Sequence, residues 1–170
     1  MEYPHYIKTY PNFPKPGILF YDLAPLFYDS KVLSQLIQDL AARVKGLEFD
    51  VIAGIESRGF IFGSILAFYC QKGFVMIRKP GKLPGHLEEI HCKLEYGETD
   101  LTLQRKSIQP GQKVLLVDDV LATGGTAFAA TQLIKRVGAE VSGCLFTLEI
   151  ESLNGRGLLN GFPVEALINL

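Results

Sequence analysis

The stretch Val114 to Thr126, VLLVDDVLATGGT, decides how the chain folds. Apolar or β-branched residues at Val114 to Val117 and at Val120 bracket two acids, Asp118 and Asp119. A strand buried on both faces reads as such an apolar run, so the acids are delivered to the end of a buried parallel strand. Beyond them, Thr126 to Val137 carries Ala129, Leu133, Ile134 and Val137 at the spacing of an amphipathic helix. The order is strand, acidic corner, Thr-Gly-Gly-Thr loop, helix. Backbone N–H groups at a helix start lack intrahelical partners and sit at the positive end of the macrodipole, and glycines let an anion come close to them. The loop is a candidate anion cradle, and the acids are candidate partners for hydroxyls or a metal.

The same pattern occurs upstream. Val51 to Ile55 is a short apolar strand, Glu56-Ser57-Arg58-Gly59 a loop, Gly59 to Lys72 an apolar helix and Phe74 to Ile77 the next strand. Val141 to Leu148 follows the helix of the opening stretch in the same way. Right-handed crossovers make these strands parallel in one sheet, which fixes an α/β class with a Rossmann-like parallel sheet flanked by helices. Ligands of such sheets bind beyond the carboxyl ends of the strands, where Glu56 to Gly59 and Asp118 to Thr126 would meet. Before the first unit, Tyr3 to Tyr10 reads as a short helix, Asn12 to Gly17 as a turned path set by its prolines, and Asp29 or Ser30 as the cap of a helix running to Val44. Between the units, Lys79 to Gly85 is a basic loop. His86 to Lys106 reads as two extended pieces around Tyr96-Gly97-Glu98, mobile in part. Ser152 to Gly161 reads as loop and Val164 to Ile168 as a last strand.

A chain of 170 residues, 48% hydrophobic and 21% charged, is expected to form a single domain over 1–170 with an ordinary core. Its net charge of -1 provides no field for non-specific nucleic-acid binding, so any anion site is local. Three scattered cysteines make no disulfide framework or metal-ligand pair, and Cys92 beside His91 is incidental. The amino terminus lacks the pattern of a signal peptide, and the longest apolar stretch, Gly59 to Cys70, is too short to cross a bilayer. A cytoplasmic protein, with no membrane and no nucleic-acid partner, is the expectation. Neither a Walker A lysine nor a complete Rossmann glycine fingerprint is present, which disfavours nucleotide hydrolysis and dinucleotide binding. His5, His86 and His91 form no recognisable triad.

Read from residues alone, a capped helix after a buried strand with solvated acids competes with the anion cradle. The combination of glycines, hydroxyls and helix start favours the cradle. The acids and the Thr-Gly-Gly-Thr loop also resemble the phosphoribosyl-diphosphate signature of type I phosphoribosyltransferases. Phe13 to Leu26 (FPKPGILFYDLAPL), Gly54 to Gly63 (GIESRGFIFG), Ile77 to Gly85 (IRKPGKLPG) and Leu94 to Gly97 (LEYG) extend the resemblance, in order, to the adenine phosphoribosyltransferase family.

That resemblance implies transfer of ribose 5-phosphate from 5-phosphoribosyl 1-diphosphate to adenine, yielding AMP and pyrophosphate, with magnesium bound mainly through the substrate and not by protein ligands. It implies a homodimer, an amino-terminal hood of about residues 1–28 and a flexible β-loop of about residues 79–106 over the site. By the same resemblance Asp118 and Asp119 hold the ribose hydroxyls, and Ala122, Thr123, Gly124, Gly125 and Thr126 grip the 5′-phosphate. Arg58, Arg78, Lys79 and Lys82 meet the pyrophosphate, Arg58 with a catalytic role. Phe20 stacks on adenine between backbone contacts at Leu19 and Tyr21; many members carry arginine at the position of Tyr21, so only a backbone role transfers. Tyr96 belongs to the flexible loop. Members acting on hypoxanthine and guanine use an aspartate at the position of Ala122 to handle the base N7 proton, which a methyl group cannot do. The task falls to Glu95, the family's candidate general acid/base. Without the resemblance, Glu95 reads as an exposed charge and Phe20 as a core residue. Transfer to xanthine or hypoxanthine, or a non-catalytic nucleotide-sensing regulator, are the alternatives.

Overall fold

Backbone hydrogen bonding extends the strand of the opening stretch beyond its apolar run, through both acids to Leu121. The computed structural model describes residues 1–94 and 97–170. They form two compact units, Met1–Asp39 and Leu40–Leu170, with the boundary inside one helix.

The first unit holds a 3₁₀ turn at Tyr3–Tyr6, strand β1 (Lys8–Pro11), strand β2 (Leu19–Asp22), a short helix α1 (Pro25–Tyr28) and most of α2 (Ser30–Arg43). Only Tyr3–Tyr6 of the segment expected to be helical is so. Lys8–Pro11 instead pairs antiparallel with β2, Lys8 opposite Asp22 and Pro11 opposite Leu19. Pro11 lacks the N–H a continuing helix needs, whereas strand pairing gives the backbone partners. Asp29 caps α2, its Oδ1 accepting from the N–H groups of Lys31 at 2.8 Å and Val32 at 3.3 Å.

The second unit contains β3 (Val51–Ile55), α3 (Gly59–Cys70), β4 (Gly73–Ile77), β5 (Leu87–Leu94), β6 (Gly97–Gln104), β7 (Lys113–Leu121), α4 (Gly125–Arg136), β8 (Glu140–Glu149), 3₁₀ turns at Glu151–Leu153 and Gly155–Leu159, and β9 (Val164–Asn169). Five strands form a parallel sheet in the order β4-β3-β7-β8-β9. The chain leaves β3 through α3 toward β4 and leaves β7 through α4 toward β8, in opposite directions along the sheet. Ligands bind at such a switch point, where the loops after neighbouring strands diverge. The extension of β7 follows from its neighbour: Asp118 lies opposite Phe146, Val120 opposite Leu148 and Leu121 opposite Glu149. Ladder bonds that span two strands outweigh the local polarity of two acids.

Val114, Leu116, Leu133, Ile134, Phe146 and Leu159 belong to one buried cluster that includes Ile90, Leu101 and Leu103 of the β5–β6 hairpin. The hairpin pairs antiparallel as the alternation predicts, but its apolar face is buried, and Arg136 at the end of α4 donates to the Glu89 carbonyl at 2.9 Å. Its arms are therefore anchored in the core. Among the described residues no helix is long and apolar enough to cross a membrane.

Candidate active site

Asp118 and Asp119 stand side by side near the carboxyl end of β7. Asp118 accepts the N–H of Asp119 on Oδ1 at 2.8 Å. Burial, followed by the neighbouring charge of Asp119, pushes the Asp118 carboxyl well above the usual carboxylate range. Gly59, the first residue of α3, must lack a side chain here: a Cβ would lie 2.7 Å from Asp118 Oδ1 and 3.0 Å from the Val117 carbonyl. This close approach brings the loop after β3 against the loop after β7. Arg58 precedes Gly59, and its Nε lies 2.5 Å from Oδ2 of Asp119. Asp119 is 8% exposed. The ion pair holds the guanidinium of Arg58 against the buried carboxylate of Asp119.

The loop and helix start expected after the acids are present. Gly124 caps α4 in the left-handed region, φ 83°, and Gly125 begins the helix. Residues Asp118 and Val120 to Ala127 line a hollow of about 90 Å³, and the amides of a helix start favour an anion there. Asp118 and Thr126 line both this hollow and a larger cleft of about 780 Å³. Glu56, Ser57, Arg58, Lys79, Pro80 and Asp119 also line the cleft, with Glu98 to Leu101 of β6.

Of the basic residues singled out in the sequence, Arg58 and Lys79 line this cleft, while Arg78 and Lys82 do not. Arg78 is engaged elsewhere. It donates from Nη2 to Glu56 Oε1 at 2.9 Å, from Nε to Glu56 Oε2 at 3.2 Å and from Nη1 to the Lys82 carbonyl at 3.0 Å. Glu56 also accepts the Lys79 N–H at 3.1 Å. These bonds, led by Arg78, hold the Glu56 carboxyl below its ordinary range. The backbone of Arg78 bridges Thr102 of β6. Arg78 thus ties the basic loop to the end of β3 and to the hairpin. Leu19, Phe20 and Tyr21 form most of β2 in the first unit, where Phe20 meets Phe13 edge to face at 5.1 Å. Glu95 and Tyr96 lie outside the described residues.

A phosphoribosyl transferase domain model matches residues 27–152. An adenine phosphoribosyltransferase of Agathobacter rectalis is 46% identical over 96% of this chain and 94% of its own. The chain belongs to the adenine phosphoribosyltransferase family. A Thermoanaerobacter pseudethanolicus adenine phosphoribosyltransferase superposes with a TM-score of 0.96 at 41% identity, covering 99% of this chain and 98% of that one. The Saccharomyces cerevisiae structure, complexed with adenine and an imino-altritol bisphosphate, gives a TM-score of 0.90 at 39% identity over 98% and 96% of the two chains. The family's type I fold accounts for the parallel sheet and for the convergence of two loops at its switch point.

Sequence reading does not single out Gly155, which lies in the Gly- and Asn-rich segment Ser152 to Gly161 that reads as loop. A Cβ on Gly155 would fall 2.3 Å from the Ala122 carbonyl and 3.0 Å from the Gly124 amide nitrogen, and one on Gly124 would fall 2.3 Å from the Gly155 carbonyl. Two glycine backbones therefore meet face to face at the cradle of this family member. The one available signal was a second glycine-rich segment immediately after a strand, at Asn154 to Gly157.

Proposed function

We propose that this protein transfers ribose 5-phosphate from 5-phosphoribosyl 1-diphosphate to N9 of adenine, releasing pyrophosphate and forming AMP. The observation that carries the reading is that Asp118 and Thr126 line both the small hollow at the start of α4 and the larger cleft that holds Arg58, Lys79 and Asp119. A sugar phosphate has this shape: phosphate at one end, hydroxyls beside the acids, leaving group toward the cations. The Saccharomyces cerevisiae relative was solved in complex with adenine and a bisphosphate, which supports a base and a phosphorylated sugar as substrates.

In this reading Ala122, Thr123, Gly124, Gly125 and Thr126 take the 5′-phosphate through loop amides and hydroxyls. Asp118 and Asp119 hold the 2′ and 3′ hydroxyls and fix C1′ for in-line attack by N9. The Arg58–Asp119 ion pair fixes the arginine beside the ribose acids. Arg58 and Lys79 offset charge gathering on the departing pyrophosphate, and Lys82 adds to the local field. Arg78 serves that end by holding Glu56 and, through it, Lys79. Adenine is taken by Leu19, Phe20 and Tyr21, with Phe20 stacking, a contact worth about 1–3 kcal/mol for a base on an aromatic ring. Ala122 cannot exchange a proton with N7, so Glu95 handles N7, and Tyr96 shares its segment.

Among the described residues no three His, Cys, Asp or Glu side chains come together as a metal cage. With Asp118 and Asp119 assigned to the ribose hydroxyls and Arg58 and Lys79 in the cleft, magnesium enters on the substrate's phosphate oxygens, since this ion retains waters and takes few protein ligands. When bound it screens the pyrophosphate charge. A homodimer is supported by apolar side chains exposed on α3 and on the edge strand β4: Ile61, Phe68, Tyr69 and Met76. Free cysteines at 70, 92 and 144 agree with a cytoplasmic location. The reading is tested by following absorbance of adenine, hypoxanthine, guanine and xanthine with phosphoribosyl diphosphate and magnesium, with chelator as control. AMP formation from adenine with little product from the other bases is expected, and no turnover of adenine would refute it.

A further inference from the structure

The 3₁₀ turn at Gly155–Leu159 is held by an ion pair that the transfer chemistry does not use. Glu149 is the last residue of β8 and is 4% exposed. Its carboxylate accepts from Arg156 Nε at 2.8 Å on each oxygen, and Arg156 Nη2 lies 2.6 Å from Oε2. The third nitrogen, Nη1, donates to the Val164 carbonyl at the start of β9. Forked guanidinium–carboxylate bonds are directional as well as strong, and a carboxylate this buried has to be paired. Arg156 follows directly on Gly155, whose backbone abuts Ala122 and Gly124. Leu121, in register with Glu149, accepts the Ile150 N–H at 2.9 Å. The chain therefore leaves β8 pinned to β7 and returns under the loop with Arg156 as its fastening.

We infer that Arg156 is a positioning residue that, through Glu149, seats Gly155 against the Ala122–Gly124 backbone and so sets the shape of the cradle for a sugar 5′-phosphate. The inference rests on the sugar-phosphate reading of that loop. Loss of the fork lets the turn move by a fraction of an ångström. The loop amides then lose their aim at a phosphate, while the base-binding strand lies elsewhere in the chain.

Calorimetric titration of the full-length protein with ribose 5-phosphate, together with KM values for phosphoribosyl diphosphate and adenine, tests this. Arg156→Gln is expected to weaken ribose 5-phosphate roughly tenfold or more, as small misplacements of binding groups do, and to raise KM for phosphoribosyl diphosphate while leaving KM for adenine unchanged. Gly155→Ala, which leaves the ion pair intact, is expected to give the same selective defect, and the double variant to be no worse than either single one. Arg156→Lys keeps the charge without the fork and should recover only part of the affinity; it decides by the same criterion if Arg156→Gln does not fold. Wild-type affinity for ribose 5-phosphate in these variants, or an equal rise of both KM values, overturns the positioning role. Failure of the wild-type protein to bind ribose 5-phosphate overturns the sugar-phosphate reading, and the positioning role with it.

Discussion

At the scale of residues, the site concentrates unfavourable charge at the acids proposed to hold the ribose hydroxyls. Asp118 is penalised by burial and by the charge of Asp119, and only partly relieved by the Asp119 N–H and, less, by Arg58. Because its carboxyl is raised above the ordinary range, the folded state favours the protonated form, and ionisation at neutral pH opposes folding. Asp118→Asn keeps an oxygen for the Asp119 N–H and removes the charge. It is expected to raise the melting temperature, by roughly 2–4 °C for each kcal/mol relieved in a chain of this size, while kcat/KM falls about ten- to a hundredfold from loss of a charged hydrogen bond. Thermal melts and steady-state assays on one preparation check both; a lower melting temperature would mean that the carboxylate stabilises the fold. Glu56 has the opposite sign. Arg78 holds its carboxyl below the ordinary range, so its stabilising effect is present above about pH 4.3, the unfolded value, and disappears as pH falls through the lower folded value. Melting curves of wild type and Glu56→Gln should be separated at neutral pH and converge in acid.

At the scale of elements, the β5–β6 hairpin is the part whose behaviour differs most from a plain loop. Its alternation predicts two extended pieces, and the hairpin pairs accordingly. Its inner face buries Ile90, Leu101 and Leu103 against the α4 side of the sheet, and Arg136 fastens β5 through the Glu89 carbonyl. Arg136→Ala is expected to speed amide hydrogen exchange in 87–92 while shifting the global melting temperature little, since bonds from exposed charges contribute about 0–1 kcal/mol. Exchange mass spectrometry resolves the two effects, and unchanged protection in β5 would show that apolar packing alone fixes the hairpin.

At the scale of the whole molecule, the proposed homodimer rests on the exposed apolar side chains of α3 and β4. Phe68 is 87% exposed, and Ile61, Tyr69 and Met76 are exposed as well; large apolar side chains in water favour association. A second copy of the chain would cover them. Phe68→Glu is expected to shift sedimentation from dimer to monomer, whereas substituting the half-buried Cys92 should not. A wild-type protein that sediments as a monomer at micromolar concentration would remove the dimer from the functional reading.

The sequence by itself determined the α/β class, the strand–loop–helix units and the meeting of the Glu56 and Asp118 loops, because hydrophobic periodicity and right-handed crossovers act locally. VLLVDDVLATGGT and GIESRGFIFG carried the family with them. Tertiary structure alone decided that β7 runs through the acids to Leu121, that Arg58 meets Asp119 while Arg78 turns to Glu56, and that Gly155 abuts the cradle. Each depends on a partner distant in sequence: the β8 ladder, a glycine that admits a neighbouring loop, and a buried carboxylate that draws one arginine. Periodicity tells which face of an element is buried; which polar group finds which partner is settled only when the folded chain brings both out of water.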